Sequence, residues 1–232
     1  MSKKLSVLVT AGPTREFIDP VRFISNASSG LTGCLIAGAA AQDKASVTLI
    51  SGPSAIPPPA KTRTVKADSA EEMFIQAMKY FPGADIFISS AAVCDYAPSA
   101  VSKKKLKKSS GVLTLKLQPT RDILFEAGRM LRSASRADTG GKFRLPKVLV
   151  GFALETGNII KNAKEKLLTK NLDLVVANTP RTIGAKTIEA FLMERSGKLT
   201  KTGRLDKRIF ARVLWNKAKE IHAKKTAQQR PG

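Results

Sequence analysis

The chain has 232 residues, 43% hydrophobic and 25% charged, which is ordinary for a globular protein of one large or two small domains. Forty Lys and Arg residues stand against 18 Asp and Glu, so the net charge of +22 favours phosphate-bearing ligands or nucleic acid as partners. Cys34 and Cys94 are the only cysteines, which excludes a disulfide framework, and the apolar runs are too short to cross a membrane, as expected of a cytoplasmic protein with no membrane partner.

Apolar runs typical of strands alternate with helical patterns along the chain. The core strands are predicted at 7–10, 47–53, 84–93, 147–153 and 172–179. Helices are predicted at 31–42, 68–81, 158–170 and 205–225. Because this alternation favours right-handed crossovers between parallel strands, we predict an α/β fold: a Rossmann-like open sheet of mainly parallel strands with helices on both faces. It forms a single domain over 1–225, with a disordered tail at 226–232.

Two segments interrupt this alternation. Residues 94–120 contain the lysine run SKKKLKK and then LTLKL, whose alternation predicts a short strand. Residues 186–203 predict a short C-terminal hairpin insert. The polar stretch at 133–142 is predicted to be a surface loop. The last helix is expected to bury a face with Ile209, Val213, Leu214 and Ile221.

The start of the first helix has the pattern of an anion site. The residues S-S-G-L-T-G, from Ser28 to Gly33, resemble the second half of a G-x-G-x-x-G motif. In open parallel sheets, helix N-termini at the carboxyl ends of strands offer free N–H groups to anions. The loop that follows Thr10 is too long for a dinucleotide fingerprint, so the turn predicts an anion cradle instead.

The sequence offers little for nucleophilic catalysis. His222 is the only histidine, and no G-x-S-x-G elbow, H-E-x-x-H motif or P-loop is present. Cys94 ends an apolar run and is interpreted as a packed thiol. An enzyme with this sequence would position phosphates and neutralise charge, which suits the activation of a carboxylate by a nucleoside triphosphate followed by attack of an amine.

Three blocks of the sequence carry a resemblance to a known family. They are TAGPTREFIDPVRFISNASSGLTG, SSAAVCDYAP with the following KKLKK, and VGFALET with AKEKLLTKNLDLVVANT. Together they closely resemble phosphopantothenate–cysteine ligases of coenzyme A biosynthesis, over about residues 5–179. The resemblance implies that (R)-4′-phosphopantothenate and L-cysteine are joined through a phosphopantothenoyl nucleotidylate, with release of pyrophosphate and a nucleoside monophosphate.

The resemblance also implies roles for individual residues. Asn26 would hold the activated intermediate, with Arg22 as its neighbour in the substrate loop, and Lys105 would serve the second half-reaction. The cradle of Ser28, Ser29 and Gly30 would grip the substrate. The nucleotide would be bound by Ser89, Ser90, Ala91, Asp95, Lys105, Arg121, Asp122, Ile123, Leu124, Phe152, Lys166 and Lys170.

Cosubstrates and partners follow from the same resemblance. CTP is favoured over ATP, and Mg²⁺ is expected although its ligands stay unknown. The flavin-dependent decarboxylase domain often fused ahead of this ligase is absent, which implies a stand-alone ligase with no flavin and a separate decarboxylase. A homodimer is expected, with the 186–203 hairpin as a candidate interface. The segment after Asn178 departs from the family pattern, and the active site is expected to be unaffected by it.

Simpler roles for the same residues stay open. The lysines of 103–108 could be a solvated loop, those of the 158–170 helix an ordinary polar face, and Arg22 could pair with Glu16 or Asp19. For the whole chain, one alternative is a basic nucleic-acid-binding module, or an enzyme with incidental nucleic-acid affinity, although aromatic residues are not interleaved with the lysines. An NAD(P)-dependent reductase is the other alternative, and it lacks the glycine fingerprint.

Overall fold

The computed structural model describes residues 4–108, 110–136 and 148–228. In chain order the strands are β1 (Ser6–Ala11), β2 (Arg15–Phe17), β3 (Phe23–Ser25), β4 (Ser46–Ser51), β5 (Thr62–Lys66), β6 (Ile86–Ser89), β7 (Tyr96–Pro98), β8 (Leu117–Pro119), β9 (Val148–Leu154), β10 (Leu174–Asn178), β11 (Thr187–Glu194) and β12 (Leu199–Asp206). The α-helices are α1 (Leu31–Gln42), α2 (Ala70–Tyr80), α3 (Ile123–Arg136), α4 (Ile159–Thr169) and α5 (Lys207–Gln228).

An eight-stranded sheet organises the fold, in the order β12-β11-β10-β9-β6-β1-β4-β5. The strands from β10 to β5 in this order run parallel, and β11 and β12 join antiparallel at one edge. The chain builds outward from β1 to β5, then returns to β6 and builds in the other direction. This is the doubly wound order, and its topological switch point lies between β1 and β6. The predicted Rossmann-like α/β fold is confirmed.

The sheet has a hydrophobic core on each face. Because alternate residues of a strand point to opposite faces, β1 places Val7 and Val9 in one core and Leu8 in the other. Helices α1 and α5 cover the first face, while α2, α3 and α4 cover the second. The central strands are buried on both sides, as their continuous apolar runs predicted.

Some predicted elements were wrong or incomplete. Strand β5 and helix α3 were not predicted, and the predicted strand in LTLKL forms only from Leu117, where β8 pairs with β7. Of the loop predicted at 133–142, residues 133–136 are the last turn of α3 and the rest lie outside the described residues. The hairpin predicted at 186–203 is present, but its strands continue to Asp206 and extend the main sheet.

The predicted buried face of helix α5 is only partly right: Leu214 and Ile221 are buried as predicted, but Ile209 and Val213 are not. Ile209 and Val213 are 54% and 38% exposed. The buried positions are Lys207, Phe210, Ala211, Leu214, Trp215, Ala218 and Ile221. The contact with α1 selects this face, and the Trp215 indole Nε1 fixes it by donating to Asp43 Oδ2 at 2.9 Å. The helix also runs to Gln228, three residues into the predicted tail, and 229–232 lie outside the described residues.

Gly128 allows α3 to approach the end of α4, and it supplies a test of this packing. A Cβ at Gly128 would lie 2.0 Å from the backbone oxygen of Lys170. We expect Gly128→Ala to lower the free energy of unfolding by about 1–3 kcal/mol, because a backbone atom has to move. Urea denaturation measures this change. Gly157→Ala is the control, since a Cβ there meets nothing within 4 Å; equal midpoints for the two variants would contradict the packing argument.

Candidate functional site

A cavity of about 530 Å³ opens at the carboxyl ends of the parallel strands, beside the switch point. Its walls are formed by the first turns of α1 and α3 and by the segments that follow β6, β9 and β10. Lys166 of α4 and Lys170, the C-cap of that helix, complete them. Of the candidate site residues, all line this cavity except Arg22 and Lys105. The fold therefore brings together residues that lie as far apart in the sequence as Asn26 and Lys170.

The first turn of α1 forms one wall. Gly30 is its N-cap in the left-handed region, with φ of 78°, which only glycine adopts at little cost. A Cβ at Gly33 would lie 2.4 Å from Ser90 Oγ and 2.5 Å from Ala11 Cβ, so the helix begins directly against the ends of β1 and β6. The first turn of a helix leaves N–H groups without helical partners, and Leu31, Thr32 and Gly33 line the cavity. This is the geometry of an anion cradle.

Asn26 lies ahead of this cradle with its side chain fixed by two backbone carbonyls. Its Nδ2 donates to Ala92 O at 3.1 Å and to Val93 O at 3.0 Å. Both amide hydrogens are therefore used within the chain. What remains for a ligand is Oδ1, so Asn26 is placed to accept a hydrogen bond from a substrate N–H or O–H.

The opposite wall is built on Asp122, which joins α3 to the end of α4. Asp122 Oδ1 accepts from the Phe125 N–H at 2.9 Å and so caps α3, while Oδ2 pairs with Lys170 Nζ at 2.6 Å. Burial opposes ionisation of this carboxyl, but the bonds from Lys170 and Phe125 outweigh it and hold the pKa below its ordinary value. The pair fixes Lys170 at the cavity wall.

Lys166 is held differently from Lys170. Its Nζ donates to the backbone oxygen of Phe152 at 2.5 Å, and no ion pair of Lys166 occurs within the described residues. Burial lowers the pKa of this ammonium, and the positive charge of Lys170 lowers it further. An ammonium has three donors, so Lys166 keeps capacity to bind an anion in the cavity.

Several other candidates line the cavity but use their side chains within the fold. Ser90 Oγ donates to Thr10 O at 2.6 Å, and Thr10 Oγ1 donates to Ser89 Oγ at 3.3 Å, which ties the ends of β1 and β6 together. The Arg121 guanidinium pairs with Glu71 at 3.1 Å and lies 3.5 Å from the centroid of the Phe74 ring. These side chains therefore contribute to the shape of the cavity wall more than to its positive charge.

Arg22 and Lys105 lie outside the cavity wall. The Arg22 guanidinium pairs with the buried Asp19, one of the alternatives that the sequence left open, and also donates to Leu106 O at 2.5 Å. Asp19 in turn accepts the Leu106 N–H at 3.0 Å. Burial raises the pKa of Asp19, but these N–H donors and Arg22 hold it well below its usual range. Arg22 and Asp19 thus anchor the lysine loop, and the Lys105 side chain is exposed.

The segment after Asn178, expected to leave the site unaffected, also forms part of the cavity. Asn178, Thr182, Ile183, Gly184 and Ile188 line its far end, together with the buried Lys207. The segment reaches the cavity because β10 ends at the same edge of the sheet as β6 and β9. One sequence signal for Lys207 existed: it stands three residues before Phe210, on the buried face of α5.

Neither a ready-made metal cluster nor a membrane-spanning helix occurs among the residues that the structure describes. No group of three or more His, Cys, Asp or Glu side chains there could hold a metal ion by itself. Within the same residues, no helix is long and apolar enough to cross a bilayer.

Between β1 and α1 the chain forms the β2–β3 hairpin in place of a tight glycine turn, which agrees with the missing dinucleotide fingerprint.

Known proteins resemble this chain along most of its length. A cysteine/cysteine sulfinic acid decarboxylase from an unknown prokaryotic organism is 40% identical over 200 residues, covering 84% of this chain and 52% of that protein. The coenzyme A biosynthesis bifunctional protein CoaBC of Vibrio vulnificus is 43% identical over 175 residues, covering 75% of this chain and 41% of that protein. The chain therefore spans about half the length, or less, of these curated relatives.

A solved structure and a family model agree over nearly the whole fold. The crystal structure of the C-terminal domain of the coenzyme A biosynthesis bifunctional protein CoaBC superposes with a TM-score of 0.75 at 34% identity, covering 94% of each chain. The family model for the C-terminal domain of DNA/pantothenate metabolism flavoproteins matches residues 2–221. The chain therefore belongs to the family of the DNA/pantothenate metabolism flavoprotein C-terminal domain, to which its sequence motifs and its doubly wound fold both point.

Proposed function

We propose that this chain is a phosphopantothenate–cysteine ligase of coenzyme A biosynthesis. The observation that carries the proposal is the cavity at the switch point, where an anion cradle at α1 faces the half-buried Lys166 and the paired Lys170 across the strand ends. Two phosphate-bearing substrates can meet there beside Asn26. The similarity to the C-terminal domain of CoaBC, named for coenzyme A biosynthesis, supports the same activity.

The first half-reaction forms an acyl nucleotide. A carboxylate oxygen of phosphopantothenate attacks the α-phosphorus of the nucleoside triphosphate, the bond to the β-phosphate breaks, and pyrophosphate leaves with the electron pair. The chain contributes position and charge: Lys166 and Lys170 neutralise phosphate oxygens, and the α1 cradle binds a further anionic group. Asn26 Oδ1 accepts from an N–H or O–H of the pantothenoyl group and so orients the carboxylate.

The second half-reaction forms the amide. The cysteine amine attacks the acyl carbon, the bond to the nucleotide oxygen breaks, and the nucleoside monophosphate leaves while the amine loses a proton. The family resemblance assigns Lys105 to this step. Because Lys105 is exposed and outside the cavity wall, the loop held by Asp19 and Arg22 has to move for its ammonium to reach the leaving phosphate.

Mg²⁺ fits this site as an ion carried chiefly by the nucleotide. Mg²⁺ commonly binds to one or two carboxylates together with substrate phosphates and water. Asp95 lines the cavity and takes part in no ion pair within the described residues, so it would hold the ion together with the phosphates. When bound, Mg²⁺ supplies charge neutralisation at the triphosphate.

CTP is the proposed nucleotide, and ATP is the alternative.

We also propose that the chain forms a homodimer. We place the contact at the β11–β12 hairpin, whose outer strand is the antiparallel edge of the sheet. The two thiols, Cys34 and Cys94, are buried and free, which suits a reducing cytoplasm. Phosphopantothenoylcysteine would then be the substrate of a decarboxylase.

The reaction is tested by mixing the chain with phosphopantothenate, Mg²⁺ and cysteine, and adding CTP or ATP in turn. We expect pyrophosphate and a product with the mass of phosphopantothenoylcysteine, with faster turnover on CTP. Pyrophosphate release and mass spectrometry measure both. Absence of turnover by folded protein with either nucleotide would overturn the ligase proposal and favour the nucleic-acid alternative, whose binding should fall steeply with salt.

Lys105 gives a test of the two-step mechanism. We expect Lys105→Gln to release pyrophosphate and accumulate the acyl nucleotide when cysteine is present, with amide formation slowed by about 100-fold, because the leaving phosphate loses its cation. Lys104→Gln removes the same charge from the same loop and should form the amide at close to the wild-type rate. Chromatography of quenched single turnovers separates the intermediate from the product. Equal behaviour of both variants would remove Lys105 from the mechanism.

The pKa of Lys166 predicts how nucleotide affinity depends on pH. Only the protonated ammonium binds phosphate, so affinity should fall as pH rises through the lowered pKa of Lys166. Lys170→Met removes a positive neighbour, so it should weaken CTP binding at neutral pH yet move this alkaline loss to higher pH. Calorimetric titration with CTP between about pH 7 and 10.5 measures the shift. Lys164→Met, on the exposed side of α4, should leave the profile in place; an unmoved profile in Lys170→Met would refute the coupling.

A further inference from the structure

Lys207 is a buried cation at the cavity wall to which the mechanism above gives no role. The residue is 5% exposed, and its Nζ donates to the backbone oxygen of Thr182 at 2.8 Å. An ammonium has three donors, so one bond leaves two for another partner. Because Lys207 lines the cavity, a ligand in the cavity can supply that partner.

In the described part of the chain, no carboxylate neutralises the positive charge of Lys207. It takes part in no ion pair there, whereas Lys170 is paired with Asp122 in its own wall of the cavity. Burial lowers the pKa of Lys207, and no nearby carboxylate offsets that effect. The residue is also the first of α5, where the helix dipole disfavours a cation. A buried ammonium with these neighbours destabilises the free protein, so stability does not explain its position.

The surroundings of Lys207 hold it in place. Asn178 Nδ2 donates to Thr182 Oγ1 at 2.6 Å, and Thr182 Oγ1 donates to Thr179 O at 2.9 Å. These bonds fix the turn whose carbonyl accepts from Lys207. Phe210 and Leu214, one and two turns along α5, are buried against the α1 face of the sheet. Lys207 therefore lies on the side of the sheet that carries the α1 cradle, whereas Lys166 belongs to the helices of the opposite face.

We propose that Lys207 binds a phosphate group of one of the two substrates, from the wall opposite to Lys166 and Lys170. The reaction brings together a triphosphate and a phosphate monoester, which carry more negative charge than two lysines neutralise. A cation on each face of the sheet keeps the two anionic groups apart and still lets the carboxylate reach the α-phosphorus. The inference rests on the proposed ligase function for the identity of the substrates.

Two substitutions separate the charge of Lys207 from its hydrogen bond. Lys207→Met removes both and keeps an apolar chain of similar length, while Lys207→Gln removes the charge and keeps a donor for the Thr182 carbonyl. Lys164→Met is the matched control, since it removes the same charge from the exposed side of α4. Each protein is titrated calorimetrically with CTP, with phosphopantothenate and with inorganic pyrophosphate, and its thermal midpoint is recorded without ligand.

We expect one substrate to bind about 10-fold to 100-fold more weakly to both Lys207 variants, and with unchanged affinity to Lys164→Met. Weaker CTP and pyrophosphate binding assigns Lys207 to the nucleotide, and weaker phosphopantothenate binding alone assigns it to the acid substrate. The ligand-free thermal midpoint should stay the same or rise in Lys207→Met, because an unbalanced buried charge is gone. Unchanged affinities with a lowered midpoint would overturn the proposal and leave Lys207 a structural residue.

The experiment also separates this inference from the proposed function. If the wild-type chain binds neither CTP nor phosphopantothenate, the ligase proposal and its substrates fall together. If the wild-type chain binds them and the Lys207 variants bind equally well, the inference alone falls. If Lys207→Met does not fold, Lys207→Gln keeps the bond to Thr182 and decides the question by the same titrations.

Discussion

The structure depends on how closely the chain packs where β1 and β6 end and α1 begins. Gly33 brings the helix against Ala11 and Ser90, and the hydroxyl of Ser90 bonds to the backbone of Thr10. At the same edge, a Cβ on Gly52 would lie 1.8 Å from Pro13 O, so the loop after β1 is pressed onto the end of β4. This close packing places the first turn of α1 at the switch point between β1 and β6, where it lines the cavity.

The cavity wall concentrates positive charge that the fold itself does not neutralise. Lys166 and Lys207 are each fixed by a single backbone carbonyl, at Phe152 and Thr182, so their positions are set without cancelling their charge. Lys170 is the contrasting case, since Asp122 offsets it while capping α3. A wall of this kind is costly in the free protein and becomes favourable once an anion enters, which is the expected property of a site for phosphorylated substrates.

The sequence could predict those parts of the molecule that have a strong local signal. Continuous apolar runs identified the central strands, and the family blocks identified the residues that line the cavity from Asn26 to Lys170. Strand β5 was missed because TRTVK lies at an edge of the sheet and is largely exposed, so it has no apolar run. Lys207 was missed because one lysine on an apolar helix face does not by itself indicate a buried cation. Its position becomes informative only when Phe210 and Leu214 on the same face are known to be buried.

Arg22 shows why a motif does not fix a side-chain contact. The sequence puts it four residues before Asn26, yet the buried Asp19 draws its guanidinium away from the cavity and onto the lysine loop. Asp19 accepts bonds from Val21, Arg22 and Leu106, so the loop is anchored at a carboxylate that stays ionised at any ordinary pH. In the proposed mechanism, the first half-reaction uses only residues of the cavity wall, and Lys105 takes no part in it. On the same mechanism the second half-reaction uses Lys105, so we expect its rate to depend on how readily the loop leaves Asp19.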